Sequence, residues 1–137
     1  MKERPRNLTL EWLDRAESDL KYAEASLLEF DDFYSQICIL CHDATEKYLK
    51  AYLVHRGVNP GRIHDLPALL KECIATSEDA SDVKSCESGC RTLNRYYTPL
   101  KYPSLYPTPN RSQAREAVDI ATEISHIIKR RIGTDHD

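Results

Sequence analysis

At 137 residues, 41% of them hydrophobic, the chain fits one domain with one core of ordinary size and leaves little room for a second. Nineteen Lys and Arg against 22 Asp and Glu give a formal net charge of -3, so nothing favours non-specific binding along duplex nucleic acid; local basic patches remain open. Five cysteines, an odd number, argue against a disulfide framework in a reducing compartment. Only four glycines occur and most prolines sit together late in the chain, which predicts an all-helical domain.

The opening stretch carries charges every few residues and no uninterrupted apolar run, so it reads as neither signal peptide nor membrane anchor, and a cytosolic location is expected. From Leu10, the apolar positions Leu13, Ala16, Leu20, Ala23 and Leu27 recur at steps of three and four, predicting an amphipathic helix of about five turns. Glu11, Arg15, Glu17, Lys21 and Glu24 fill its other sides. "EFDDF" interrupts, with Asp31 or Asp32 placed to cap a second helix that runs to about Arg56, where Gly57 stops it before the "VNPG" turn. A short helix follows in "HDLPALLKECI", with Asp65 as its N-cap and Pro67 in its first turn. After the polar linker "ATSEDASD", Val83, Cys86, Cys90, Leu93 and Tyr97 predict a fourth helix ending near Tyr97.

"TPLKYPSLYPTPNR" holds four prolines and must be an extended loop, and a loop this long in a small domain is often functional. Ala114, Ala117, Ala121, Ile124 and Ile128 then form the seam of a last helix, from a Ser112 cap to Lys129, Arg130 and Arg131, whose cations suit a helix C-terminus. No internal repeat or low-complexity segment is present. The expectation is an up-and-down antiparallel bundle of four long helices and one short one over residues 10–131, with an N-terminal extension at 1–9 and a tail at 132–137.

Three groups of residues could carry chemistry. "CILCH", Cys38 to His42, spells covalent haem attachment, yet it lies inside the second helix on one stripe with Thr45, Tyr48 and Tyr52, where thiols pack as small hydrophobes. A zinc site joining Cys38 and Cys41 to Cys86 and Cys90 is a poor match to zinc ribbons. The same helix carries His42, Glu46 and Leu49 on one flank, with His42–Glu46 and Glu46–Lys50 spaced for hydrogen bonds. Residue physics alone favours a solvated face there over a general acid/base pair. His55 closes that helix, while His126 and His136 read as surface or terminal residues. In "NRYYTPLKYPSLYP", Arg95, Lys101 and Arg111 interleave with Tyr96, Tyr97, Tyr102 and Tyr106, which suits either phosphate binding with base stacking or simple packing of a loop onto helices.

Three segments in order resemble a known family. "HDATEKYLKAYLVHRG" resembles the signature helix of the HEPN domain (higher eukaryotes and prokaryotes nucleotide-binding domain). "IHDLPALL" is similar to its His-Asp-Leu segment, and "LNRYYTPLKYP" to its Arg/Tyr segment ending in a basic residue and Tyr-Pro. "WLDRAESDLKYAEASL" and the last helix also fit, so the resemblance covers about residues 10–131. It implies a helical bundle, often dimeric, associated with nucleotide binding and with small nucleotidyltransferase partners in bacteria and archaea.

Some branches of that family are metal-independent ribonucleases of toxin modules, using an Arg and a His four to six residues apart. This sequence departs from them. Arg56 and Arg62 precede His64 by eight and two positions, and the spacing occurs only where Arg130 and Arg131 precede His136, beyond a Gly133 expected to end the helix. Lys101 also stands where the family commonly has Arg. Carried over by position, the ligand-binding candidates are His42, Glu46, Lys47, Lys50, His64, Asp65, Arg95, Lys101 and Tyr102, with His42 and His64 the catalytic candidates. The leading expectation is a homodimeric module that binds a nucleotide or RNA phosphate near residues 98–111 and partners a separately encoded nucleotidyltransferase, with no cofactor, metal or membrane. A ribonuclease or phosphoryl-transfer enzyme is the alternative, and a structural dimer without ligand the third reading.

Overall fold

A computed structural model describes residues 3–97 and 107–133, with side chains from Asn7 onward. In chain order the helices are α1 (Glu3–Glu29), α2 (Tyr34–His55), α3 (Leu66–Ala75), α4 (Ser81–Lys84), α5 (Glu87–Asn94) and α6 (Arg111–Ile132). The domain is an all-helical bundle, as its sequence predicts, and no described helix is long and apolar enough to cross a membrane.

The seam of α1 is buried at Leu13, Ala16, Leu20, Ala23 and Leu27, all at the predicted spacing. The helix begins at Glu3 rather than near Leu10, and Thr9 is already buried. Neither Asp31 nor Asp32 caps α2. Its N-cap is Phe33, held left-handed at φ 67° with no side-chain cap, while Asp32 Oδ1 accepts from the Phe33 amide at 2.7 Å. A bulky residue in that region costs about 1–2 kcal/mol.

The other end of α2 follows the sequence: Gly57 takes φ 82°, and the Val58 amide folds back onto the Leu53 carbonyl at 2.8 Å. Asp65 caps α3 by accepting from the Ala68 amide at 2.9 Å. The predicted fourth helix is present as α4 and α5 with a turn at Ser85 and Cys86 between them. The Cys86 amide bonds Val83 at 3.0 Å, a tighter three-residue step that helical spacing of apolar residues does not reveal. Gly89 allows α5 to lie close to α6, because a Cβ there would come within 2.7 Å of Ile120.

Asn110, not Ser112, caps α6. Its side chain accepts from the Gln113 amide and its own amide donates to Gln113 Oε1, both at 2.9 Å, a reciprocal box that leaves Ser112 in the first turn. Gly133 ends the helix at φ 76°, as expected.

The α2 helix is the axis of the bundle, packed by α1, α3, α5 and α6. One of its faces carries the predicted apolar stripe, and Ile37, Cys38, Cys41, Tyr48 and Tyr52 are buried on it. All five cysteines are free and buried; burial pushes the thiols up, Cys86 to about 11 and Cys38 and Cys90 to about 12, so they are inert packing groups. Buried Tyr48 donates to Glu17 on α1, and Lys129 on α6 donates to the same carboxylate at 2.9 Å, which ties three helices at one point.

Candidate functional site

The polar flank of α2 is not solvated. His42 is 0% exposed, Glu46 9% and Lys50 3%, so a second, polar stripe of the helix is as buried as the apolar one. Partners from three other segments make this tolerable. Lys50 Nζ donates to Glu46 Oε2 at 2.9 Å and lies 5.6 Å from the centroid of the Trp12 ring, whose face favours a cation. The same Oε2 is 2.9 Å from His64 Nδ1, so the predicted Glu46–Lys50 contact exists, and the histidine that Glu46 binds is His64 rather than His42.

His42 holds the loop before α3. Its Nε2 lies 3.1 Å from the His64 carbonyl oxygen and its Nδ1 lies 3.2 Å from Asp43 Oδ1. A carbonyl only accepts, so Nε2 carries the proton and donates. His42 is thus a positioning group for His64, whose own side chain is 49% exposed.

The α3 cap completes the arrangement. Asp65 also accepts from Asn94 Nδ2 at 2.8 Å, and Asn94 Oδ1 accepts from the Leu66 amide at 3.0 Å, which clamps the start of α3 to the end of α5. That clamp delivers Tyr97. Its ring is near-parallel to both histidines, 5.1 Å from His42 at 21° and 5.4 Å from His64 at 18°.

The remaining candidates divide by position. Lys47 is partly exposed and bonded to Asp19 of α1, a tie between helices on another side of α2. Arg95 is exposed beside the Asn94 clamp, with Nε donating to the Thr92 carbonyl at 3.3 Å. Arg111 is committed elsewhere, donating to the Leu27 carbonyl at 3.2 Å. Lys101 and Tyr102, most of the proline-rich loop and His136 lie outside the described residues.

Of the two adjacent tyrosines, Tyr96 is core: it is buried beside the Cys38 thiol, and burial pushes its phenol up to about 12. Tyr97, which helical spacing from Leu93 places on the apolar seam of the fourth helix, is instead half-buried and stacks on the two histidines. Asp43, Asn94 and Trp12 were not singled out. All three stand inside the quoted motif segments, the one signal that points to them. Among the described residues, the side chains whose donor atoms converge closely enough to hold a metal ion are His42, Asp43 and Glu46, none of them a thiol.

The site therefore offers an exposed imidazole and a half-buried aromatic ring, supported by a buried ion pair and a helix cap, with the exposed Arg95 two residues before Tyr97 in the chain. Fold and site together define a helical-bundle domain whose central helix buries one polar stripe against the α2–α3 connection and Tyr97, just past α5. The HEPN domain profile matches residues 9–131, and the chain belongs to the HEPN domain family. Its structure is similar to that of TT1696 from Thermus thermophilus, at 27% identity over 90% of this chain and 97% of that one, with a TM-score of 0.77. It is also similar to ST0689, an archaeal HEPN homologue, at 25% identity over the same shares and a TM-score of 0.70. No curated protein matches the chain.

Proposed function

We propose that this HEPN domain is a nucleotide- or RNA-phosphate-binding module and that its ligand sits against His64, Tyr97 and Arg95. The observation that carries the reading is the convergence of three segments far apart in sequence, 42–50, 64–65 and 94–97, around His64 and Tyr97, with the exposed Arg95 on the last of them. An aromatic face suits a base, and an exposed guanidinium suits a phosphate, which it can grip with two parallel bonds. Lys101, from the loop that follows, would add a point charge.

Membership of the family supports the rest of the proposal: the domain acts as a homodimer and as the partner of a separately encoded small nucleotidyltransferase. Binding rather than catalysis is favoured because the Arg/His ribonuclease spacing is confined to the C-terminal tail. Calorimetric titration of the full chain with ATP, AMP and a short RNA tests the proposal. Saturable binding that Arg95→Ala abolishes is expected; no heat with any of the three would leave a structural domain. Metal-independent RNA cleavage lost in His64→Ala would replace the binding module with an enzyme.

A further inference from the structure

With a neutral His42 ring, the contact between His42 and Asp43 is chemically incomplete. Nε2 of His42 must carry a proton to donate to the His64 carbonyl, so in the neutral ring Nδ1 presents a lone pair. That lone pair faces a carboxylate oxygen, Asp43 Oδ1, at 3.2 Å, and the ring is 0% exposed, so water does not separate the two acceptors. Two acceptors held this close need something positive between them, a second proton on Nδ1 or a metal ion.

Three further features fit a metal ion in that place. A separation of 3.2 Å is the bite of two donors on one ion: with metal–nitrogen and metal–oxygen bonds of roughly 2.0–2.2 Å, the angle at the metal is about 100°. One ligating atom from each of His42, Asp43 and Glu46 lies within 4.8 Å of the other two, and the bonds from Lys50 and His64 both fall on Glu46 Oε2, leaving Oε1 clear of them. An imidazole whose outer nitrogen donates to a backbone carbonyl is also the arrangement that orients histidine ligands in metal proteins, fixing ring and tautomer.

The geometry points to a mononuclear site for a divalent first-row transition ion of the zinc type, held by His42 Nδ1, a carboxylate oxygen of Asp43 and one of Glu46. Three protein donors leave a fourth position for water or for an oxygen of a bound ligand. The two carboxylates and the Lys50 ammonium sum to one negative charge, which favours a cation over an anion. The site stands on these contacts alone and does not depend on the nucleotide reading.

The test is titration of the metal-free full chain with Co2+, followed by visible absorption, and with Zn2+, followed by calorimetry. One ion per chain is expected, with a d–d band of nitrogen and oxygen ligation and no thiolate-to-metal charge transfer. Asp43→Asn should weaken binding by about tenfold or more. The Asp43 side chain is 40% exposed, so this variant should unfold at the same temperature as the wild type in the absence of metal. Cys86→Ala with Cys90→Ala should bind as the wild type does. Absence of binding would overturn the site and assign the His42–Asp43 contact to a proton; equal binding by Asp43→Asn, or a thiolate band lost on replacing cysteines, would also overturn it.

Discussion

Two faces of α2 are equally buried by opposite chemistry. Along Cys38, Cys41, Tyr48 and Tyr52 burial is apolar, with inert thiols and a single carboxylate tie at Glu17. Along His42, Glu46 and Lys50 it is polar, and each group has a named partner from another segment: the His64 carbonyl for His42, the His64 ring for Glu46 and the Trp12 ring for Lys50. The apolar face would be satisfied by any close packing of the right volume. The polar face is satisfied only when the loop before α3 and the end of α5 are in place, which makes it a device for fixing the position of His64 and Tyr97.

The largest expected effect separates the two faces directly. Glu46→Ala leaves the Lys50 ammonium buried without its carboxylate, and loss of one partner of a buried pair costs about 3–5 kcal/mol, read as a lowered urea midpoint at unchanged slope. A cost under about 0.5 kcal/mol would mean that the face is solvated after all.

That contrast also marks what the sequence made legible. Helical periodicity located every long helix, because an apolar seam must be buried whatever covers it. The Asp65 cap was readable because Pro67 fixes the register of the first turn, whereas Asn110 was masked by Ser112, an equally good capping residue two positions on. The break between α4 and α5 kept its apolar spacing through the turn and so left no trace in the pattern. The site was legible as three segments but not as a geometry. His42, Glu46 and Lys50 spell a solvated face in any isolated helix, and only tertiary covering makes them buried. Tyr96 and Tyr97 lie three and four positions after Leu93, so both fit a helical seam; spacing favours Tyr97, whereas the structure buries Tyr96 and stacks Tyr97 on histidines.

A smaller effect probes the apolar face. Thr45 Oγ1 is buried without a hydrogen-bond partner among the described residues, so Thr45→Val should raise stability by about 1 kcal/mol in the same urea titration. A loss of similar size would place an ordered partner on that hydroxyl.

The smallest effect concerns pH. Burial alone would raise the Glu17 pKa, but its bonds from Tyr48 and Lys129 outweigh burial and hold the carboxyl below its ordinary value of 4.5. A carboxylate with a lowered folded pKa contributes its stability in full above its unfolded value and loses it as pH falls through the folded one. Glu17→Gln should therefore flatten the fall of melting temperature below about pH 4.5, the effect being modest because Glu17 is partly exposed. An unchanged acid limb would remove Glu17 from the account.

The central proposal is that the buried polar face of α2 presents His64 and Tyr97 to a ligand. Aromatic 1H–13C spectra of the full chain, recorded while ATP is added, test it with internal controls. Ring signals of His64 and Tyr97 should move together and saturably, while those of His55 and His126, which lie outside the cluster, stay in place. Shifts confined to His55 or His126, or none at all, would contradict the claim.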